Sequence, residues 1–383
     1  MTTTTMTTTI DPANIKKGAI RKALELGAGA VRVASALPDE ESRRRMQESF
    51  SRGDLSTWGY GAEYARRASD PSELLRGARS VVCIAVPYAT SQPERRAPLQ
   101  GRVSNYAWSS DYHRRLRALL RAVAEEIDAA AGRPVTAVAC DTKPLAERAF
   151  AARAGIGWIG KHTNLIASQL GSFVFLGEIV TTLELPPDGP LRKTCGTCAR
   201  CVEACPTQAL RGDYTIDANR CISDLTQRTD AIPAAMRPLV GQWIWGCDIC
   251  QVVCPPTRRA EDASSHWAPR DRDAANPTLV ELLALRSGRF KRRYRDTAMG
   301  WRGAAVLRRN AAVALGNSLD RSAVGALIES LKTDPHPMVR GHVAWALGRI
   351  GSPRALAALR ERCAGEEDRQ VRAEIGSALE AFA

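Results

Sequence analysis

The sequence predicts three successive parts: an α/β domain, a cysteine-rich metal-binding module and an all-α array of helix pairs. Three observations lead there. Continuous apolar runs alternate with helix-period segments through the first half of the 383-residue chain. Eight of the eleven cysteines fall between Cys195 and Cys254. Near the end, arginine, small residues and Ala-Leu recur at one register, starting at Arg309, Arg340 and Arg372.

Residues 1–13 open with a threonine-rich run and are expected to form a disordered tail. The run lacks the basic segment and apolar core of a signal peptide, and no twin-arginine pair precedes an apolar stretch. The α/β domain is expected over 14–185. Ile15 to Leu26 is an amphipathic helix ended by Gly27 and Gly29, Val31 to Leu37 a short strand, and Asp39 to Phe50 a helix with an acidic first turn. Ser80 to Tyr88 is continuously apolar, as a strand buried on both faces would be. Asp111 caps a long helix, Tyr112 to Ala130, and Val135 to Cys140 is another strand, ending in Asp141. Pro144 opens a helix over Leu145 to Ala154, the glycine-rich Gly155 to His162 follows, and Phe173 to Thr182 is a last strand. Such alternation points to an α/β domain, whose ligands gather beyond the carboxyl ends of strands. Asp141 lies at such an end, where a turn or cap role is the ordinary reading. The glycine-rich loop permits close backbone approach to something flat or large, or is a simple bend. It does not fit the nicotinamide fingerprint.

The module over 186–260 carries Cys195-x2-Cys198-x2-Cys201-x3-Cys205-Pro206, a lone Cys221, and Cys247-x2-Cys250-x3-Cys254-Pro255. Four thiolates at this spacing before proline form the bacterial ferredoxin run, in which the fourth cysteine serves the other of two clusters. The second run lacks one member, which Cys221 can supply. Crossed ligation puts one [4Fe–4S] cluster on Cys195, Cys198, Cys201 and Cys254, and the other on Cys205, Cys221, Cys247 and Cys250. Zinc takes four thiolates too, but needs no third and fourth cysteine before proline. Disulfides would need an oxidising compartment, for which nothing speaks. Two close clusters form a short wire for single electrons, with a redox partner at one end and an acceptor at the other. Cys83, Cys140 and Cys363 are isolated and expected to pack as small core residues.

Over 275–383 the chain is expected to be wholly helical, because repeats at this period bury an apolar face only by stacking. They look like short HEAT-type repeats. A basic run just before them includes Arg292, Arg293, Arg295, Arg308 and Arg309, interleaved with Phe290, Tyr294 and Trp301. Such a run is either a solvated face or an RNA surface, where guanidinium and ring planes stack on exposed bases. The net charge of +13 favours a polyanionic partner. No apolar run approaches bilayer length. A cytoplasmic monomer is expected.

In this order, the three parts resemble the epoxyqueuosine reductase family, over nearly the whole chain from about Lys16 onward. The segments that carry the resemblance are Gly101 to Trp108 with Asp111-Tyr-His113, Asp141 to Arg148, Ala154 to His162, Gly246 to Gln251, and Arg309-Asn310 with Ala314 to Asn317. Pro256-Thr257 departs from the family's tryptophan and asparagine, which puts local loop contacts in doubt, though not the ligands.

The resemblance implies a base-off cobalamin in the N-terminal domain beside the first cluster, and a tRNA substrate carrying epoxyqueuosine. Electrons from an unidentified donor would pass through the clusters one at a time to cobalt. Loss of the epoxide oxygen as water would complete queuosine at the wobble position. It assigns Asp141 as the proton donor, with burial beside the corrin raising its pKa. Tyr106, Asp141, Gly157, Trp158, Lys161 and His162 would contact cobalamin, with His162 a disfavoured axial ligand. Two other readings stay open: a soluble enzyme like the reductive dehalogenases, and a ferredoxin-like carrier whose repeats dock a protein. The missing export signal and basic tail argue against the first, and the second would need neither Asp141 nor a corrin.

Overall fold

The computed structural model describes residues 11–55, 58–89, 99–260 and 273–381. The threonine-rich run of residues 1–10 lies outside them. Asp11 already caps the first helix, accepting from Ala13 N at 2.9 Å, and Pro12 sits where a missing N–H costs nothing.

The N-terminal part runs α1 (Pro12–Glu25), β1 (Ala30–Ser35), α2 (Glu40–Ser51), α3 (Ala62–Ser69), β2 (Ser80–Pro87), β3 (Arg102–Val103), α4 (Tyr112–Ala131), β4 (Thr136–Ala139), α5 (Glu147–Arg153), β5 (Gly157–Ile159), β6 (Leu165–Ala167) and β7 (Val174–Thr181). The expected strands and long helices are present within a few residues. The last helix starts at Glu147, because residues 141–146 form bends, not a helical turn after Pro144. The central sheet has the order β1-β2-β7-β4, and every ladder in it is antiparallel. Alternation of helix and strand was legible, but the direction of pairing was not.

Period-two burial explains the layers. From β2, Val82, Ile84 and Val86 join Ile15, Ala19 and Ala23 of α1 and Leu116, Leu120, Val123 and Ile127 of α4. Val81, Cys83 and Ala85 point the other way, onto Phe150, Ala151 and Leu165. Asp111 caps α4, and Gly132 closes it at φ 69°, the left-handed conformation glycine adopts without strain. The result is one sheet between two apolar layers. Truncating Leu120, which is fully buried, should cost about 2–5 kcal/mol.

The cysteine module contains short turns of helix, α6 (Arg200–Glu203), α7 (Ile222–Gln227), α8 (Arg237–Val240), α9 (Ile249–Val252) and α10 (Pro255–Arg258), with β8 (Trp243–Trp245) pairing parallel to β3. The C-terminal part is helical throughout: α11 (Leu279–Leu283), α12 (Ser287–Tyr294), α13 (Ala304–Ser318), α14 (Val324–Thr333), α15 (Pro337–Ile350), α16 (Pro353–Gly365) and α17 (Arg369–Glu380). Gly316 and Gly348 mark where repeats touch: an added Cβ would stand 2.8 Å from Trp345 and 2.6 Å from Ala378.

Arg308 and Arg309 are both structural, which corrects their assignment to RNA. Arg309 is fully enclosed; Nη1 donates to Arg228 O at 2.8 Å and Nη2 to Leu225 O at 2.9 Å, while Asn310 Nδ2 donates to Thr226 O and Ile244 O at 2.7 Å each. A guanidinium fitted to backbone carbonyls inside the protein cannot reach a phosphate. This residue locks the repeats onto the cysteine module. Arg308 pairs with buried Asp334 at 2.6 Å, and Arg340 pairs with Glu366 in the same way at the next repeat. The true periodic arginine is therefore Arg308, one place before the register read from sequence.

Candidate functional site

The eight clustered cysteines form two groups. Burial pushes the Cys201 thiol up to about 11, and the neighbouring thiolates of Cys195 and Cys254 add to it. Cys254 is likewise raised by burial and then by Cys195 and Cys198 among its neighbours. In the second group Cys247 is raised by burial, by Cys221 and by Cys205, and Cys250 by burial, Cys247 and Cys221. Thiols that crowd one another in this way are held as ligands only when a cationic centre compensates them. Two groups of four thiols match the ligand number of two iron–sulfur clusters.

Asp248, between Cys247 and Cys250, is fully buried, and burial raises its carboxyl to about 6. It accepts from Asn105 N at 2.8 Å and from Ser104 Oγ, tying the second thiol group to the turn that carries Tyr106. Thr257, the departure from the family pattern, has an internal task. Its Oγ1 accepts from Ser172 N at 3.0 Å, which ties the loop to the turn before β7.

Asp141 ends β4 at φ 50°, a left-handed conformation uncommon outside glycine, with its side chain 56% exposed. His113 Nε2 stands 2.9 Å from Oδ2, and Tyr112 Oη donates to the same oxygen at 3.2 Å. The His113 ring is fixed from its other side by Asp111 Oδ1, 2.6 Å from Nδ1. Tyr112 in turn stacks on His113 and on Phe175, at 4.1 and 4.3 Å between ring centroids. Glu147 Oε1 accepts from Asp141 N and holds the strained backbone.

The charges differ from expectation. The His113 hydrogen bond holds Asp141 below the ordinary carboxylate range, outweighing the upward push of burial. His113 is raised to about 9: burial opposes its charge, but the hydrogen bonds it donates to Asp111 and Asp141 prevail. Burial pushes Glu147 up to about 7 and Glu178, behind it in β7, well above its usual value. Here the raised pKa expected for Asp141 falls on His113 instead, so at neutral pH the pair is an imidazolium and a carboxylate.

The other assigned contacts divide. Tyr106 is half-buried, close to Trp245 and edge-on to Tyr112 at 6.3 Å. Trp158 is half-buried with its indole N–H enclosed and unpartnered. The glycine-rich segment folds as the β5–β6 hairpin, and its glycines serve that hairpin: a Cβ on Gly157 would stand 2.1 Å from Ile166 O. Gly157 is thus required by internal packing and not by approach of a flat ligand. Lys161 Nζ donates to Gly196 O at 3.0 Å, bracing the hairpin against the first thiol group. His162 is enclosed, 2% exposed, and burial lowers it to about 4. It packs within the core, with Nε2 left without a hydrogen-bond partner. Arg292 and Arg295 are exposed, whereas Arg293 is half-buried and 3.3 Å from Asp273. His113, Glu147 and Asp248 were not singled out from sequence, although all three lie inside motifs that carry the resemblance.

Comparison with known proteins agrees with this layout. The 4Fe-4S double cluster binding domain matches residues 194–257, HEAT repeats match 303–380, and the family "Epoxyqueuosine reductase QueG, DUF1730" matches 68–142. The epoxyqueuosine reductases of Bacillus anthracis and Bacillus subtilis (strain 168) are 34% and 32% identical to this chain. They cover 98% and 96% of it and 99% and 95% of their own lengths. A crystal structure of epoxyqueuosine reductase with a tRNA-Tyr epoxyqueuosine-modified tRNA stem loop aligns with a TM-score of 0.91 at 32% identity, over 97% of this chain and 100% of that one. The Bacillus subtilis enzyme with its aspartate catalytic loop swung out of the active site aligns at 0.90 and 31% identity, over 97% and 100%. With such identity along almost its entire length, the chain is an oxidoreductase that belongs to the epoxyqueuosine reductase family.

Proposed function

We propose that the protein reduces epoxyqueuosine to queuosine in tRNA, drawing its electrons through two [4Fe–4S] clusters ligated in the crossed pattern. The observation that carries this reading is the Asp111–His113–Asp141 chain. It presents a hydrogen-bonded carboxylate, half-exposed, on a strained backbone, and Tyr106 feels both its charge and that of Asp248 in the cysteine module. Opening an epoxide and expelling its oxygen as water takes two electrons and two protons, and leaves an alkene. The clusters suit single electrons, and the proton must come from a group within hydrogen-bond reach of the oxygen.

Cobalamin is the cofactor this reading calls for between them; when bound, it supplies a strongly reducing, nucleophilic cobalt. Tyr106 and Trp158 are the residues that would meet it, since the first is half-buried beside Asp141's partner Tyr112 and the second has an unpartnered N–H. His113 stores the proton at neutral pH, and Asp141 sits between it and open space to deliver it. Glu147 holds the Asp141 backbone in place. Exposed Arg292 and Arg295 provide phosphate contacts for the RNA.

The test is Asp141→Asn in anaerobically reconstituted protein. Turnover on an epoxyqueuosine-bearing stem loop should fall by about 10²-fold or more while iron content and cobalamin uptake stay at wild-type levels. Near-normal turnover would make Asp141 a structural turn residue.

A further inference from the structure

Four aromatic rings from two distant parts of the chain stand in one row. Tyr64 of α3 stacks on Tyr60 at 4.3 Å, Tyr60 lies parallel to Trp58 at 6.5 Å and 10°, and Trp58 stacks on Trp301 at 5.9 Å and 26°. Arg302 covers the end of the row, its Cζ 3.7 Å from the Trp301 centroid and 4.9 Å from that of Trp58. The far end is near enough to Asp141 for that charge to act on both Tyr60 and Tyr64.

Packing between modules does not cover this row. Trp301 is 56% exposed and Tyr60 41%, whereas the other aromatics of the basic run, Phe290 and Tyr294, are buried. Two of the rings are anchored from behind. Trp58 Nε1 donates to Asp224, which pairs with Arg228 at 2.6 Å, and Trp301 stands edge-on to buried Trp245 at 6.5 Å. Exposed rings with a guanidinium laid over them are what an unpaired base stacks on, and any base has a π-face to offer.

We infer that Trp301 and Arg302, backed by Trp58 and Tyr60, form a stacking platform for an unpaired nucleobase flanking the modified nucleotide of the tRNA anticodon loop, holding the loop so that the modified base reaches Asp141. This inference rests on the RNA reading above and deepens it. It also divides the labour of binding: exposed arginines of α12 meet phosphates, and the platform meets a base.

A stacked base and a phosphate contact respond differently to salt. Loss of a phosphate contact flattens the dependence of log K on log salt, and loss of a stack does not. The probe is an anticodon stem loop with 2-aminopurine beside the modified position, titrated into full-length protein carrying its clusters. Wild type should quench the 2-aminopurine. Trp301→Ala and Tyr60→Ala should each weaken binding by roughly ten-fold and lose quenching. The salt slope and iron content should not change, and Trp301→Phe should restore most of both signals. Wild-type affinity and quenching in both alanine variants would overturn the platform while leaving the RNA reading intact. Reduced cobalamin uptake with unchanged RNA affinity would also overturn it, because the rings would then face the corrin. If the wild-type protein itself fails to bind the stem loop, both readings fall.

Discussion

At the scale of single residues, the chemistry depends on where one proton rests. A carboxyl in a hydrophobic pocket is the usual way to keep an acid protonated at neutral pH, but Asp141 is held the other way by its imidazole partner. The sign of the pH dependence follows. His113, at about 9 against an ordinary 6.5, contributes stability that is whole below pH 6.5 and is lost as pH rises through about 9. Asp141, depressed from 3.8, contributes stability that is present above that value and is lost as pH falls through its own lower pKa. Between these limits the pair is complete and holds its proton. Turnover should therefore decline as pH passes about 9. His113→Gln should lose roughly ten-fold or more at neutral pH, and should recover as acidification protonates Asp141 directly. An unchanged pH profile in that variant would place the proton elsewhere. Asp141 was legible in the sequence because it ends a strand inside a family segment. Its partner was harder to see, since His113 lies 28 residues earlier on α4 and only the fold brings the two together.

At the scale of elements, patterns of burial were legible and pairings were not. The continuous apolar run of β2 announced a strand covered on both faces, yet whether its neighbours run parallel depends on connections that periodicity does not encode. The glycine-rich segment is a similar case: glycine says that something comes close, and here it is the hairpin's own backbone at Ile166. Arginine spacing misled for a related reason, since Arg309 faces into the molecule and exposed Arg292 does not, although both belong to one basic run. Cysteine spacing was more informative because ligand geometry restricts it tightly. The crossed assignment predicts that Cys254→Ala, removed in sequence from Cys195, Cys198 and Cys201, damages their cluster and spares the other. Iron analysis and electron paramagnetic resonance would read this as loss of about half the iron with one cluster signal remaining. Loss of the signal from the cluster on Cys247 and Cys250 would contradict it.

At the scale of the whole molecule, the order of the three parts was enough to suggest the family, and family membership sets aside a bare electron carrier. What the sequence could not convey is how closely the parts are joined. Arg309 and Asn310 reach into the cysteine module, Arg237 pairs with Glu374 of α17 at 2.5 Å, and Asp248 grips the turn before α4. Each contact joins residues far apart in sequence, so no local pattern records it. Among the described residues no helix is long and apolar enough to cross a membrane, and the repeats instead extend the surface on which RNA is proposed to lie. The central claim is that electrons entering the cysteine module leave as a broken carbon–oxygen bond on that RNA. It is tested most directly by a single-turnover reaction of reduced, cobalamin-loaded protein with an epoxyqueuosine stem loop, followed by mass spectrometry of the nucleoside. The account predicts loss of one oxygen atom, two electrons drawn per product, and no product without cobalamin. A nucleoside that keeps its oxygen while the clusters are oxidised would contradict it.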